Sequence, residues 1–119
     1  MNWNEMTPRQ KDALVAEQLF SYAVDWEFDE PCAKELRDQY DEWGILPFYT
    51  ADMTAAWEVA EHMKEFIWAI ALSSMKDKHF HLDRYFCQFT DIEDTVDAEA
   101  ETAPEAICLA ALRAKGVDV

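Results

Sequence analysis

The chain has 119 residues, 25 Asp and Glu against 10 Lys and Arg, and a formal net charge of −15. A field of that sign repels nucleic acid and anionic membrane and favours partners whose working surface is basic. Half of the residues are hydrophobic and 13% are aromatic, which suits one packed domain and not a disordered acidic chain.

No apolar stretch approaches the roughly 18–20 residues needed to cross a bilayer. The start, Met1-Asn2-Trp3-Asn4-Glu5, has neither the basic nor the apolar region of a secretion signal. Cys32, Cys87 and Cys108 are odd in number, widely spaced and without a CxxC, as expected of buried, reduced thiols in a cytoplasmic protein.

In chain order, Thr7, Pro8 and Gln10 form a Thr-x-x-Gln capping box that opens a helix over about residues 8–22, with Val15, Leu19 and Tyr22 on its apolar face. Val24, Trp26 and Phe28 alternate with Asp25 and Glu27 as in a short strand. From Glu30 to Trp43 the spacing of Ala33, Leu36, Tyr40 and Trp43 predicts a second helix, stopped at Gly44. Its acids, Glu35, Asp38, Asp41 and Glu42, lie mostly off the apolar stripe and would form a displayed negative face.

Ile45 to Tyr49 is an apolar connector broken by Pro47. A third helix starts near Asp52, with Met53, Ala56, Trp57, Ala60 and Met63 on its buried side. The apolar run Phe66–Leu72 continues that helix or forms a buried strand, and its β-branched and aromatic content favours the strand. Residues 79–89 alternate as a strand: Phe80, Leu82 and Phe86 share one face, and His79, His81, Asp83 and Tyr85 the other. Ser73 to Lys78 would be the hairpin loop before it. An acidic stretch from Asp91 to Glu105 contains no base, and Thr102-Ala103-Pro104-Glu105 then caps a last helix that ends at Gly116.

The chemistry-bearing motifs are weak. His79-x-His81-x-Asp83 is the one cluster with metal-ligand spacing, but on a flat strand such side chains stand about 6.6–6.8 Å apart and diverge. The spacing resembles only the opening of the zinc signature of metallo-β-lactamases, and Arg84 stands where that signature continues with His. A polar strand face is the simpler reading, and no metal or cofactor is expected. Each cysteine sits in apolar surroundings without a local base, and two glycines cannot build a phosphate-cradling loop. The chain reads as a binding protein, not an enzyme.

Three segments together resemble the phage ABA-sandwich domain family: Ala13–Glu17, Tyr49–Glu61 and Glu101–Leu112. The resemblance implies an α+β fold, helix-rich, in which a small antiparallel sheet is layered with helices as an α/β sandwich, and a phage or prophage origin. It implies no catalytic residues. Between Tyr22 and Phe48 the chain departs from the family, where relatives carry strands and a polar loop and this chain shows an acidic helical pattern.

These readings converge on a phage-encoded protein in the host cytoplasm that binds a basic, nucleic-acid-handling host protein, such as a nuclease or CRISPR effector, without touching nucleic acid or membrane. Glu27, Glu30, Glu35, Asp38, Asp41 and Glu42 would imitate phosphates, with Tyr40 and Trp43 as anchors. The alternative is a homo-oligomeric sponge for a nucleotide-derived immune signal, with Lys76, Lys78 and Arg84 as its scarce cations.

Overall fold

A computed structural model describes residues 2–37, 43–64, 69–76 and 82–119. Three helices, α1 (Pro8–Leu19), α2 (Met53–Lys64) and α3 (Ala103–Ala114), accompany strands β1 (Val24–Glu27), β2 (Glu30–Ala33), β3 (Ala69–Lys76), β4 (Leu82–Thr90) and β5 (Thr95–Ala100). The strands make a two-stranded antiparallel sheet, β1-β2, and a three-stranded one ordered β3-β4-β5, so the fold is the expected α+β sandwich. No helix among the described residues is long and apolar enough to cross a membrane.

Local chemistry sets the helix ends. Thr7 and Gln10 close the expected capping box, with Thr7 Oγ1 accepting from the Gln10 N–H and Gln10 Oε1 from the Thr7 N–H. The chain leaves α1 at Leu19, earlier than expected, because Ser21 takes a left-handed φ of 58° and the Tyr22 N–H returns to the Ala16 carbonyl. Asp52 Oδ1 accepts the Thr54 N–H at the start of α2, and Thr102 caps α3. Gly116, at φ 86°, ends α3 in a Schellman motif: its N–H meets the Arg113 carbonyl and that of Val117 the Leu112 carbonyl.

α3 is the centre of the core. Every residue from Ala106 to Leu112 is buried, so the helix has apolar neighbours all round. It packs on β4 and β5 on one side and on α2 on the other, and it also touches α1. Ala106, Ala110 and Ala111 supply little bulk, which lets the layers approach. The opposing strand face presents Cys87, Phe89, Ala98 and Ala100, all buried, with Tyr85 and Leu72 packed against them. Tyr85 thus belongs to the face that turns inward, and Phe86 to the other, half-buried one.

Several expected elements are corrected. The helix predicted from Glu30 does not form over the described residues 30–37: Glu30–Ala33 is a strand and Lys34–Leu36 a single 3-10 turn. A two-residue turn, Phe28-Asp29, folds the chain back on itself, and the apparent departure from the family is replaced by strands at residues 24–33. Met53 and Trp57 are exposed; the buried side of α2 is Ala55, Ala56, Val59, Ala60 and Met63. The alanine-rich stripe packs closely with Val59 and Met63 and leaves Met53 and Trp57 outward. Ser73 to Lys76 extend β3 and are not loop, while residues 69–72 of the ambiguous apolar run are strand. The acidic stretch holds an unexpected strand, β5, whose Asp97 and Glu99 face outward while Ala98 and Ala100 face in. Residues 66–68, and with them the rest of the apolar run, lie outside the described residues.

The three cysteines are buried thiols. Burial pushes the Cys87 thiol up from 9.0 to about 12, and it raises Cys108 as well, with the charges of Asp12, Cys87 and Glu105 adding to the effect. Neither is a thiolate nucleophile near neutral pH.

Two polar hubs tie the layers together. Asp12 is fully buried; its Oδ1 accepts from the Thr50 N–H (2.9 Å) and hydroxyl (2.8 Å), and its Oδ2 from Arg9 Nη1 (2.7 Å). Glu105 Oε1 accepts from both Trp3 Nε1 (2.9 Å) and Lys11 Nζ (2.7 Å), joining the N-terminal segment and α1 to the start of α3. Two stability predictions come from this architecture. Asp12→Ala leaves the buried Thr50 donors unpaired and takes from Arg9 the closer of its two carboxylates, and should cost about 3 kcal/mol, read as a lower urea midpoint. Phe28 and Asp29 occupy a turn with positive φ at both positions, 51° and 64°, where Asn and Gly are preferred. Phe28→Asn should therefore raise stability by about 1 kcal/mol, read as a higher melting temperature.

Candidate functional site: an acidic, aromatic hairpin face

The β1–β2 hairpin is built around what its residues lack. Glu27 pairs with Glu30 across the tight turn, setting two carboxylates opposite each other. On its other side β2 meets the chain at residues 44–46: the Ala33 N–H bonds the Gly44 carbonyl (2.8 Å), and the Leu46 N–H bonds the Pro31 carbonyl (3.0 Å). Pro31 has no N–H to return to Leu46. The Leu46 carbonyl instead takes Arg9 Nη2 at 2.9 Å. Gly44 is required here, because its φ is 68° and a Cβ would collide with the Ala33 carbonyl oxygen.

Arg9 relieves the Glu27–Glu30 repulsion. Its Nε and Nη2 lie 3.2 Å and 3.1 Å from Glu30 Oε2, its Nη1 also donates to the Pro47 carbonyl, and the guanidinium sits 4.0 Å over the Phe48 ring. The hairpin is thereby clamped to α1 and to the 46–48 connector.

The exposed part of this unit is unusually apolar. Phe28 is 95% exposed at the tip, Trp43 55%, Trp26 45% and Ile45 37%. A cleft of about 210 Å³ is lined by Glu27, Phe28, Glu30, Cys32, Trp43 and Ile45. Trp26 lies on the opposite face of the hairpin, level with Pro31. The outer edge of β1 is guarded by Asp25, whose Oδ1 accepts the Trp26 N–H at 3.1 Å.

Of the residues expected at the site, Glu27, Glu30 and Trp43 are brought together in this cleft. Glu35 is exposed on the 3-10 turn below it, where Oε1 accepts the Ala23 N–H, and not on a helical acidic stripe. Asp38, Tyr40, Asp41 and Glu42 lie outside the described residues. Phe28 and Ile45 are contributors the pattern did not single out. Of the other aromatics near the first acidic stretch, Tyr49 is core and Phe48 half-exposed beneath Arg9.

The second acidic stretch has a local role. Asp91 Oδ1 accepts the N–H groups of Glu93 (2.8 Å) and Asp94 (2.6 Å), and Asp94 Oδ1 that of Thr95 (2.9 Å), which shapes the β4–β5 turn. Glu99 pairs with Arg84 at 3.4 Å. Among the described residues no three His, Cys, Asp or Glu side chains are placed to hold a metal; His79 and His81 lie outside them, and Asp83 is described only as backbone of β4.

Other concavities lie among the described residues. An open groove is lined by Phe20, Met53, Trp57, Glu58, His62 and Lys64. A polar cleft between the N-terminal segment, β4, β5 and α3 gathers Lys11 and Arg84, and adjoins Arg113. Of the sponge's expected cations, Arg84 lies in that cleft, Lys76 is described only as backbone of β3, and Lys78 is outside the described residues.

Comparison with curated proteins gives no match. The crystal structure of a phage protein from Bacillus cereus ATCC 14579 is similar, with a TM-score of 0.69 and 23% identity over 100% of this chain and 96% of that one, a likeness of fold. The model of the phage ABA sandwich domain matches residues 13–112. With a match over most of its length, and with strands where the sequence pattern had suggested a departure, the chain belongs to the phage ABA sandwich domain family.

Proposed function

We propose that this phage protein acts by binding and not by turnover, and that the β1–β2 hairpin face docks on the basic, nucleic-acid-handling groove of a host protein. A defence nuclease or a CRISPR effector in the host cytoplasm is the partner class that fits an anti-defence inhibitor. The observation that carries the reading is Phe28: a large apolar side chain, 95% exposed, held at positive φ among Asp25, Glu27, Asp29 and Glu30. A bulky residue in a left-handed turn is unfavourable for folding, and such strain is retained where an exposed side chain has work to do. The carboxylates would sit where the groove expects phosphates, and Phe28 with Trp43 would be buried as anchors. The imitation of polyanion differs from the one suggested by pattern, since it rests on the described acids Asp25, Glu27, Asp29 and Glu30 around a hairpin tip.

Binding should displace nucleic acid from the partner stoichiometrically and weaken with salt. Charge reversal by Glu27→Lys with Asp29→Lys should weaken inhibition at least about tenfold, equivalent to about 1.4 kcal/mol, in a nuclease-protection titration. Indifference to these changes would remove the case for this face.

The polar cleft favours a second reading, the oligomeric sponge for a nucleotide-derived immune signal. It places Arg84 near Lys11 and Arg113 in a chain with few cations. Against it, Lys11 is already paired with Glu105 and Arg84 with Glu99. This reading predicts a higher melting temperature with cyclic nucleotides or ADP-ribose derivatives, lost in Arg84→Ala; the docking reading predicts no shift with either.

A further inference from the structure

We propose that the cleft beside the hairpin tip is a receptor for one arginine side chain carried on an extended, basic segment of the partner; the inference rests on the docking role above and names what that face recognises. At about 210 Å³ the cleft is smaller than the usual pocket for a nucleotide-sized ligand and suits a single long side chain. Phe28, Trp43 and Ile45 form its apolar walls, and Glu27 and Glu30 its rim; among the described residues no Lys or Arg lines it.

The charges select the occupant. Asp25, Glu27, Asp29, Glu30 and Glu35 crowd this end of the molecule, so a second copy of the same face would be repelled, as would an anionic membrane. A cation is attracted, and the walls choose among cations. The planar guanidinium stacks on aromatic rings and donates in a fork to carboxylates, whereas a lysine ammonium is a strongly hydrated point charge.

One rim carboxylate is already set. Both close contacts from Arg9 end on Glu30 Oε2, which fixes the side chain and leaves Oε1 without a partner among the described residues. Glu27 makes no side-chain hydrogen bond or ion pair among the described residues. The molecule uses the same combination internally, where the Arg9 guanidinium lies over Phe48 and bonds Asp12.

The test uses the whole protein and a capped hexapeptide with one central arginine, beside lysine and citrulline versions, followed by the indole N–H signals in nitrogen–proton correlation spectra. The arginine peptide should shift the Trp43 signal and leave that of Trp26, on the opposite hairpin face, in place. The lysine version should bind about tenfold more weakly and the citrulline version not at all. Glu27→Gln and Phe28→Ala, both surface changes checked by circular dichroism, should each weaken the arginine peptide about tenfold, while Glu93→Gln in the β4–β5 turn should not. Equal binding of arginine and lysine, insensitivity to Glu27→Gln, or no Trp43 shift overturns the inference. Displacement of nucleic acid from a host protein by a chain that fails these peptide tests would leave the docking role standing without this receptor. Arginine binding with no such displacement would do the reverse.

Discussion

A single guanidinium holds the hairpin end of this molecule to its core. Arg9 leaves the first turn of α1 and reaches Asp12, Glu30 and the carbonyls of Leu46 and Pro47, with Phe48 beneath it. It answers three problems at once: a buried carboxylate, a pair of facing glutamates and a carbonyl that Pro31 cannot satisfy. Charge-assisted bonds in a partly dry setting are strong and are severely punished when broken, so electrostatics places the hairpin together with the burial of Pro31, Cys32 and Ala33. The rest of the fold, centred on α3, needs no such device because its layers meet through alanines and alternating strand residues.

What the sequence revealed of this architecture divides by physical range. Helix starts and stops depend on residues within one turn of each other, so Thr7 with Gln10, Asp52, Thr102 and Gly116 could be read directly. The glutamate of the last capping motif shows the limit, because Glu105 gives its side chain to Trp3 and Lys11, partners that no local pattern reveals. β5 was hidden for the opposite reason: its inward residues are alanines, too small to mark a strand among acids. In α2 Met53 and Trp57 pointed to the wrong face, since the side that packs is drawn by Ala55, Ala56, Val59, Ala60 and Met63.

The candidate site was half visible. Charge density drew attention to Glu27 and Glu30, and aromatic content to Trp43, and these three do meet in one cleft. Over residues 30–37 the helix expected from apolar spacing gives way to a strand and a 3-10 turn, because Ala33 and Leu36 fit both patterns. Phe28-Asp29 does not look like a tight hairpin turn, and its left-handed geometry becomes evident only once Glu27 and Glu30 are seen paired. The residue that best argues for function was therefore the one whose conformation contradicts its type.

Asp25 has a consequence of another kind. An edge strand that carries Trp26 and leads into Phe28 is the sort of ribbon on which further chains can stack, growing sheet upon sheet into insoluble fibres. By covering the outward amide of Trp26 with its own carboxylate, Asp25 withdraws a donor that an incoming strand would need, and its charge deters an identical neighbour. Colloidal good behaviour is thereby reconciled with a sticky tip: the aromatic rings stay available to a foreign surface while the backbone beside them is closed to self-templating.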